Sequence, residues 1–226
     1  MKLTIKTLVL STTTFGLMWG VAQNAQAATL IPNVTASTNI TGQSMPMWSI
    51  ADTVNGKGLP GHTPSLTGSH AASMNGNAWR SVANPTLGST GVIQFNLNGT
   101  YHLSGFTFWN LGGSSQALTH QGIKDVTIEY SSNGGGTWST LIGAPTSFAV
   151  GTFGSPATSQ IPQTYSFASV AATHVRFTNL SNFGGLASTD NRIGFSEIQF
   201  AKVPEPSALL ALLAFGLAGV SLGKRI

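Results

Sequence analysis

The stretch His174-Val175-Arg176-Phe177-Thr178 (residues 174–178) alternates apolar and polar side chains with a period of two. In an extended strand this period places Val175 and Phe177 on one face and the three polar side chains on the other. Five further runs have the short, β-type composition of strands, and turn residues separate them. These runs are 92–97, 103–109, 126–130, 163–167 and 197–200. We therefore predict an all-β chain folded as an antiparallel sandwich.

Residues typical of turns separate these runs. Asn98-Gly99 and Asn133-Gly134-Gly135-Gly136 carry the residues that tight turns favour, and we predict turns at both places. The segment from residue 28 to about residue 91 is rich in Gly, Ser and Pro. We expect it to wrap the sandwich as loops with a few short strands.

The N-terminal segment has the three parts of a secretory signal peptide. Two early lysines supply positive charge, an apolar run covers residues 8–21, and the small Ala25 and Ala27 stand at −3 and −1 of a cut before Ala28. A membrane anchor or a buried helix is the alternative. The small-x-small site after a short apolar run favours cleavage by signal peptidase, so we predict that residues 1–27 are removed.

The C-terminal segment begins with Pro204-Glu205-Pro206, whose prolines end the preceding strand. Residues 208–222 are 15 apolar residues, near the lower limit for a membrane-spanning helix. Lys224 and Arg225 follow and would stay on the cytoplasmic side of a membrane. These features alone also fit an ordinary single-span anchor.

In this order, residues 203–226 closely resemble the PEP-CTERM sorting signal. That resemblance implies recognition by an exosortase, removal of the tail, and only transient contact with the membrane through residues 208–222. It also implies delivery to the surface or extracellular matrix of a Gram-negative bacterium that makes exopolysaccharide.

Charge and cysteine content exclude several classes of protein. The formal net charge of the whole chain is +4, but between residues 28 and 203 six Lys or Arg stand against five Asp or Glu, a net charge of +1. Nucleic-acid binding needs a dense basic face, so we predict no nucleic-acid partner. The chain contains no cysteine, which excludes a disulfide scaffold, an iron–sulfur cluster and a thiolate zinc site.

Seven motifs in sequence carry a second resemblance, to discoidin-type domains. These are galactose-binding-like jelly rolls related to coagulation-factor C-type domains and carbohydrate-binding modules. The motifs are Trp79-Arg80-Ser81, residues 92–97, 103–110, 122–131, Gly136-Thr137-Trp138, 172–177 and 193–200. The resemblance covers about residues 39–201 and implies one jelly-roll β-sandwich domain at residues 28–202. It also implies that Trp79, Trp109 and Trp138 lie in the core.

The resemblance brings together one pair of carboxylates, Asp52 and Glu197, which in that family more often hold a structural calcium. Calcium takes hard oxygen ligands, and the loop after Asp52 exposes backbone carbonyls. We therefore expect Asp52 and Glu197 as side-chain ligands, with the carbonyls of Val54 and Asn55 completing the shell. In the alternative, Asp52 caps a turn and Glu197 is solvated. A glycosidase pair is a third interpretation.

Ligand-binding candidates lie in the loops. Trp48 and Phe183 stand among Gly, Asn and Ser residues, where an aromatic side chain can stack on a sugar ring. His62, His70 and His120 also lie in loops and could contact a ligand, whereas we expect His102 and His174 at the surface of strands. The alternative for the two aromatic residues is that they plug the ends of the sandwich.

The combined interpretation is an exported, non-enzymatic surface or matrix protein that binds exopolysaccharide. A structural or adhesive component of biofilms or flocs, without a specific glycan, is the first alternative. A secreted hydrolase is the second. Because no Gly-x-Ser-x-Gly motif occurs, the sequence does not favour a serine hydrolase.

Overall fold

The computed structural model describes residues 28–42, 47–83, 91–184 and 191–203. The predicted signal peptide and nearly all of the predicted sorting segment lie outside these residues. Within them the chain forms eight strands. The strands are β1 Thr29–Leu30, β2 Thr35–Thr38, β3 Trp79–Arg80, β4 Ile93–Asn110, β5 Thr127–Ser131, β6 Ser139–Thr140, β7 Gln163–Thr178 and β8 Gly194–Lys202.

Among the residues that the structure describes, helical structure is limited to short segments. The α-helix α1 (Gln116–His120) begins after Ser115, whose side-chain oxygen accepts a hydrogen bond from the Leu118 amide. Two 3-10 segments cover Ile50–Thr53 and Pro60–His62. In the described part of the chain, no helix is long and apolar enough to cross a membrane.

The strands pair in the order β1-β8-β4-β7-β5-β6, and β2 and β3 add to β4 and β8. Every strand pairing is antiparallel. The predicted all-β, antiparallel architecture is therefore confirmed. The described residues between 28 and 91 contribute three short strands, β1, β2 and β3, and are otherwise mostly irregular, as the sequence predicted.

The long strand β4 bends back on itself and so makes two layers. Phe95 and Phe106 both lie on β4, separated by a stretch that would span more than roughly 30 Å if the strand were straight. Both rings nevertheless pack against Phe200 on β8, with centroid distances of 5.2 and 6.1 Å. The two halves of β4 therefore face each other across a shared aromatic core, which is the geometry of a sandwich.

The predicted turn at Asn98-Gly99 is wrong. Residues 92–97 and 103–109 belong to one strand, and β7 likewise unites the two runs predicted at 163–167 and 174–178. Asn98 adopts the left-handed backbone conformation (φ 54°) that a turn signal requires, and the register of β4 against β7 shifts there. Pairing with β7 resumes beyond the shift, so the residue makes an irregularity in the ladder instead of a hairpin.

Two of the three tryptophans predicted in the core are buried. Trp79 and Trp109 have almost no exposed surface, whereas Trp138 is half-buried, so its predicted core position is wrong. Trp138 immediately precedes β6, a two-residue strand whose residues are both exposed. Its ring therefore lies outside the core, where the Arg176 guanidinium stacks 4.3 Å from the ring centroid.

Strand β8 is buried on both faces. Ile198 and Phe200 point into the aromatic core, and the alternating side chains of Glu197 and Gln199 point the other way. This second face is not exposed to solvent, because the segment from residue 50 to residue 77 covers it. Glu197 and Gln199 are consequently almost completely buried.

Candidate functional site

The Glu197 carboxylate lies in a closed niche beneath this covering segment. Its Oε1 accepts hydrogen bonds from the Gly56 amide at 3.1 Å and from Gln199 Nε2 at 2.5 Å. Its Oε2 lies 4.0 Å from His70 Nε2, and neither atom has a hydrogen-bond partner among the described residues. The niche thus holds two buried polar atoms that point toward each other without direct contact.

His70 is fixed in this position by its neighbours. Its Nδ1 lies 2.7 Å from the Ala71 carbonyl oxygen, so Nδ1 carries the hydrogen and the Nε2 lone pair is directed at Glu197. Gly58 leaves the space for the ring, because a Cβ atom at that position would lie 1.9 Å from His70 Nε2. Backbone atoms on two sides therefore fix the position of the imidazole.

Burial determines the charge state of both groups. It raises the pKa of Glu197 to about 8, against the lowering effect of the hydrogen bonds from Gly56 and Gln199, and the negative charge of Asp52 adds to the rise. Burial also lowers the pKa of His70. Near neutral pH the niche therefore contains a protonated carboxyl beside a neutral imidazole.

Asp52 lies close to this niche, at the start of the loop that contacts Glu197. Its Oδ1 accepts hydrogen bonds from Asn55 Nδ2 at 3.0 Å and from Lys57 Nζ at 2.9 Å. The structure thus places Asp52 and Asn55 on the loop whose Gly56 amide bonds to Glu197. Glu197 itself is buried, so the alternative of a solvated Glu197 is wrong. Val54 packs its side chain into the core, so only its carbonyl could serve as a ligand.

A second candidate site is an open pocket of about 400 Å³ at the end of β8 that begins with Gly194. Trp48 forms part of its wall, and the Arg80 guanidinium stacks 4.3 Å from the Trp48 ring centroid. Arg80 Nη1 also donates a hydrogen bond to Gln121 Oε1 at 3.0 Å. Polar groups from two further loops complete the lining, namely those of Ser73, Asn75, Ser114 and Ser115.

The strands explain why these residues meet. Arg80 is the register partner of Gly194, and the Gly194 amide donates to the Gln121 carbonyl at 2.9 Å. Trp48 packs on a small apolar cluster of Ala78, Leu111 and Leu118. Arg80 therefore anchors one side of the pocket to the sheet, and Trp48 anchors the other side to this apolar cluster.

The other predicted ligand residues do not line this pocket. Among the described lining residues neither His62, His120 nor Phe183 occurs. His120 precedes Gln121, and its carbonyl accepts from the Gly184 amide at 2.9 Å, so the backbone beside Phe183 lies near the pocket. His62 lies in the segment that covers Glu197, where its Nδ1 is 2.6 Å from the Lys57 carbonyl oxygen.

Sequence reasoning missed the roles of His70, Arg80 and Gln121. Strand alternation offers a signal for Arg80, since Trp79 points inward and the next side chain must point outward. Gln121 and His70 lie in irregular segments with no local signal. Their positions depend on the pairing of distant strands.

A larger cavity of about 480 Å³ lies at the other end of β8, next to Ala28 and Val203. Its described lining is mainly apolar and includes Phe106, Tyr165 and Phe167, with no charged side chain. Its described polar side chains are all hydroxyl groups of Ser, Thr and Tyr residues, and no guanidinium or amide side chain is among them. The smaller pocket is therefore the better candidate for binding a polar molecule.

The comparisons with known proteins concern two parts of the chain, the C-terminal sorting segment and the domain that precedes it. Residues 202–225 match the PEP-CTERM protein-sorting motif, so the predicted C-terminal sorting signal is confirmed. This motif indicates an exported protein that is sorted at the cell envelope. No curated protein matches the chain.

Several solved structures are similar to the domain at low sequence identity. The family 32 CBM of Clostridium perfringens NanJ, in complex with galactose, is 13% identical, with coverage of 77% of this chain and 98% of that chain and a TM-score of 0.43. CpGH89CBM32-5 from the same organism, in complex with GalNAc-β-1,3-galactose, is 16% identical, with 76% and 98% coverage and a TM-score of 0.44. The F5/8 type C domain of a Bacteroides fragilis protein is 15% identical, with 80% and 99% coverage and a TM-score of 0.43.

Proposed function

We propose that this chain is an exported, non-catalytic protein that binds polysaccharide in the pocket formed by Trp48, Arg80 and Gln121. The observation that carries the proposal is the Arg80 guanidinium, which stacks on Trp48 and is bonded to the Gln121 amide. A sugar ring offers one apolar face and several hydroxyl groups. An aromatic ring beside fixed hydrogen-bonding groups is suited to both.

The fixed geometry of the pocket supports binding of a weakly interacting, flexible polymer. Arg80 and Gln121 constrain each other through their hydrogen bond, and Trp48 is packed against apolar side chains. Side chains that are already ordered lose less conformational entropy when a ligand binds. The pocket is also open to solvent, so a long polymer can lie across it and does not have to enter by one of its ends.

The placement of the carboxylates supports a non-catalytic role. Glycoside hydrolysis needs two carboxyl groups on either side of the scissile bond. None of the described residues that line the pocket is Asp or Glu. Asp52 lies instead within the covering segment and Glu197 lies beneath that segment, where Lys57 and Gly56 bond to them.

The sorting motif supports an extracellular destination. We propose that signal peptidase removes residues 1–27 and that an exosortase acts on residues 203–226. The mature domain, residues 28–202, would then reach the surface or extracellular matrix of a Gram-negative cell. Exopolysaccharide is the polymer that such a domain meets there.

We also propose a structural calcium ion at the niche. Glu197 Oε2 is a buried carboxylate oxygen without a hydrogen-bond partner among the described residues, and Asp52 lies on the loop whose Gly56 amide bonds to Glu197. Hard oxygen atoms of this kind suit calcium. The described residues contain no group of three His, Asp or Glu side chains, so carbonyls such as those of Val54 and Asn55 would have to complete the shell.

One observation favours the alternative of an adhesive component without a specific glycan. Val150, Phe153 and Ile161 lie on the connection between β6 and β7 and are 50%, 51% and 64% exposed. Exposed apolar side chains that lie close together are typical of surfaces that bind other proteins or one another. Self-association of the purified protein without binding to any polysaccharide would favour this alternative.

The direct test is a binding assay with the purified full-length chain in detergent. Dextran, galactomannan and alginate sample neutral and acidic polymers, each with calcium and with EDTA. We expect retention of the protein on at least one of them. Failure to bind any of the three under both conditions would contradict the proposal.

A further inference from the structure

The ligand pocket lies at one end of strand β8, and the N- and C-termini of the domain lie at the other end. At its first residue, Gly194 bonds to Gln121 and is paired with Arg80, which places the pocket there. At its last residue, Lys202 is followed by Val203, the point where the sorting segment leaves the fold. The strand has nine residues, and its eight steps of about 3.3 Å give a separation of roughly 26 Å.

The N-terminal end of the domain lies beside the C-terminal end. Thr29 is the register partner of Lys202, so their Cα atoms are only about 5 Å apart. Ala28, the first residue after the predicted signal-peptide cut, therefore lies at the same end of β8 as Val203. Both segments that direct the chain to the membrane leave the fold from this end, and the pocket lies at the other.

The linker between the fold and the apolar tail is short. The Val203 amide is still bonded to the His102 carbonyl at 3.0 Å, so the ordered sheet continues to that residue. Only five residue steps separate Val203 from Ala208, where the apolar stretch begins. Such a linker can extend to at most roughly 18 Å. The end of the domain with Ala28 and Val203 must therefore stay near whatever surface holds the tail.

From this arrangement we infer that the chain binds polysaccharide while it is still held by its C-terminal tail, with the pocket directed away from the membrane. The inference rests on the proposed function, since it concerns the same pocket. It adds that release by the sorting enzyme is not required for binding. The tethered form would then act as a surface receptor that captures polymer before the domain is released.

The test uses the full-length chain in two states. The tail is inserted in vesicles of phosphatidylethanolamine and phosphatidylglycerol, or the chain is kept in detergent. The probe is fluorescently labelled galactomannan or alginate, whichever the detergent form binds. We expect the vesicle-held chain to bind with an apparent Kd within about threefold of the detergent form.

Two single-cysteine variants locate the open end, because the natural chain contains no cysteine. Gln116→Cys lies at the rim of the pocket, between the lining residues Ser115 and Ala117, and Thr29→Cys lies at the end with Ala28. Each is coupled to a large polyethylene glycol maleimide. We expect the polymer at position 116 to weaken binding at least about tenfold and the polymer at position 29 to leave it unchanged. Binding by both uncoupled variants controls for folding.

The outcomes separate this inference from the proposed function. Binding in detergent but not on vesicles, or equal blocking by polymer at both positions, would overturn the inference and leave the proposed function standing. Binding that survives polymer at position 116 would overturn both the inference and the proposed function, because the pocket would not be the site of contact. Absence of binding in both states would overturn the proposed function and this inference together.

Discussion

His70 Nε2 lies 4.0 Å from Glu197 Oε2, and neither side chain is exposed to solvent. Burial raises the pKa of the carboxyl and lowers the pKa of the imidazole, so each group is neutral near pH 7. Each shift disfavours the charged form inside the fold. Glu197 therefore makes the domain less stable as the pH rises, and His70 makes it less stable as the pH falls.

We predict that, in the presence of EDTA, the free energy of unfolding falls as the pH rises from 6.5 to 8. The pKa of Glu197 is about 8 in the fold, against 4.5 for an ordinary glutamate. Over this interval the folded protein keeps a proton that the unfolded chain has already lost, so raising the pH favours unfolding. His70 contributes the opposite slope below pH 6.5, because it resists the proton that the unfolded chain takes up.

Urea titrations at pH 6.5, 7.2 and 8 measure this slope. The matched control is Glu197→Gln, which keeps the shape of the side chain and removes its titration. A decline that is as steep in the variant as in the natural chain would show that another group is responsible.

Calcium should stabilise the domain more at pH 8 than at pH 6. A cation in the niche needs the ionised form of Glu197, and at the lower pH it must first displace the proton. We therefore expect a larger rise in Tm on addition of calcium at the higher pH. Asp52→Asn and Glu197→Gln should each reduce this rise, and equal rises in all three proteins would argue against this site.

Local alternation was enough to predict which face of β8 meets the core, because Ile198 and Phe200 follow a period of two. It could not predict that Glu197 is buried, since the segment covering the other face has no periodic pattern. The Asn98-Gly99 dipeptide misled the prediction for a related reason. Its local preference is for a turn, and Asn98 does take the left-handed conformation. Pairing with the distant strand β7 resumes at Tyr101, however, so β4 continues past this irregularity. The role of Arg80 likewise depends on its register with Gly194.

Gly58→Ala should destabilise the domain by about 1–3 kcal/mol, as overpacking in a core does. The new Cβ atom would lie 1.9 Å from His70 Nε2, so the imidazole or the loop must move. Gly136→Ala is the control, because its Cβ atom would lie no closer than 3.4 Å to any neighbour. Chemical denaturation compares the two, and similar losses in both variants would mean that the contact with His70 is unimportant.

The ion pair between Glu129 and Arg176 should stabilise the fold above pH 4.5 and lose its effect in acid. Arg176 Nε and Nη2 donate to the two carboxylate oxygens at 2.8 and 3.1 Å, and these hydrogen bonds lower the pKa of Glu129. As the pH falls below 4.5, the unfolded chain takes up a proton before the folded chain does, so stability declines.

The Glu129→Gln variant should show a shallower decline in stability between pH 5 and 3, measured by urea unfolding. Because both side chains are partly exposed, we expect the difference to be about 1 kcal/mol or less. An unchanged acid slope would mean that the pair contributes nothing measurable.

Trp48→Ala should weaken binding of the polysaccharide at least about tenfold, which corresponds to a loss of about 1.4 kcal/mol. The domain offers a closely matched control in Trp138. Both rings are half-buried, and each is stacked by a guanidinium 4.3 Å away, from Arg80 at Trp48 and from Arg176 at Trp138. Only Trp48 lines the pocket, so Trp138→Ala should leave affinity unchanged. Circular dichroism checks the fold of both variants, and equal loss of affinity would place the ligand elsewhere on the domain.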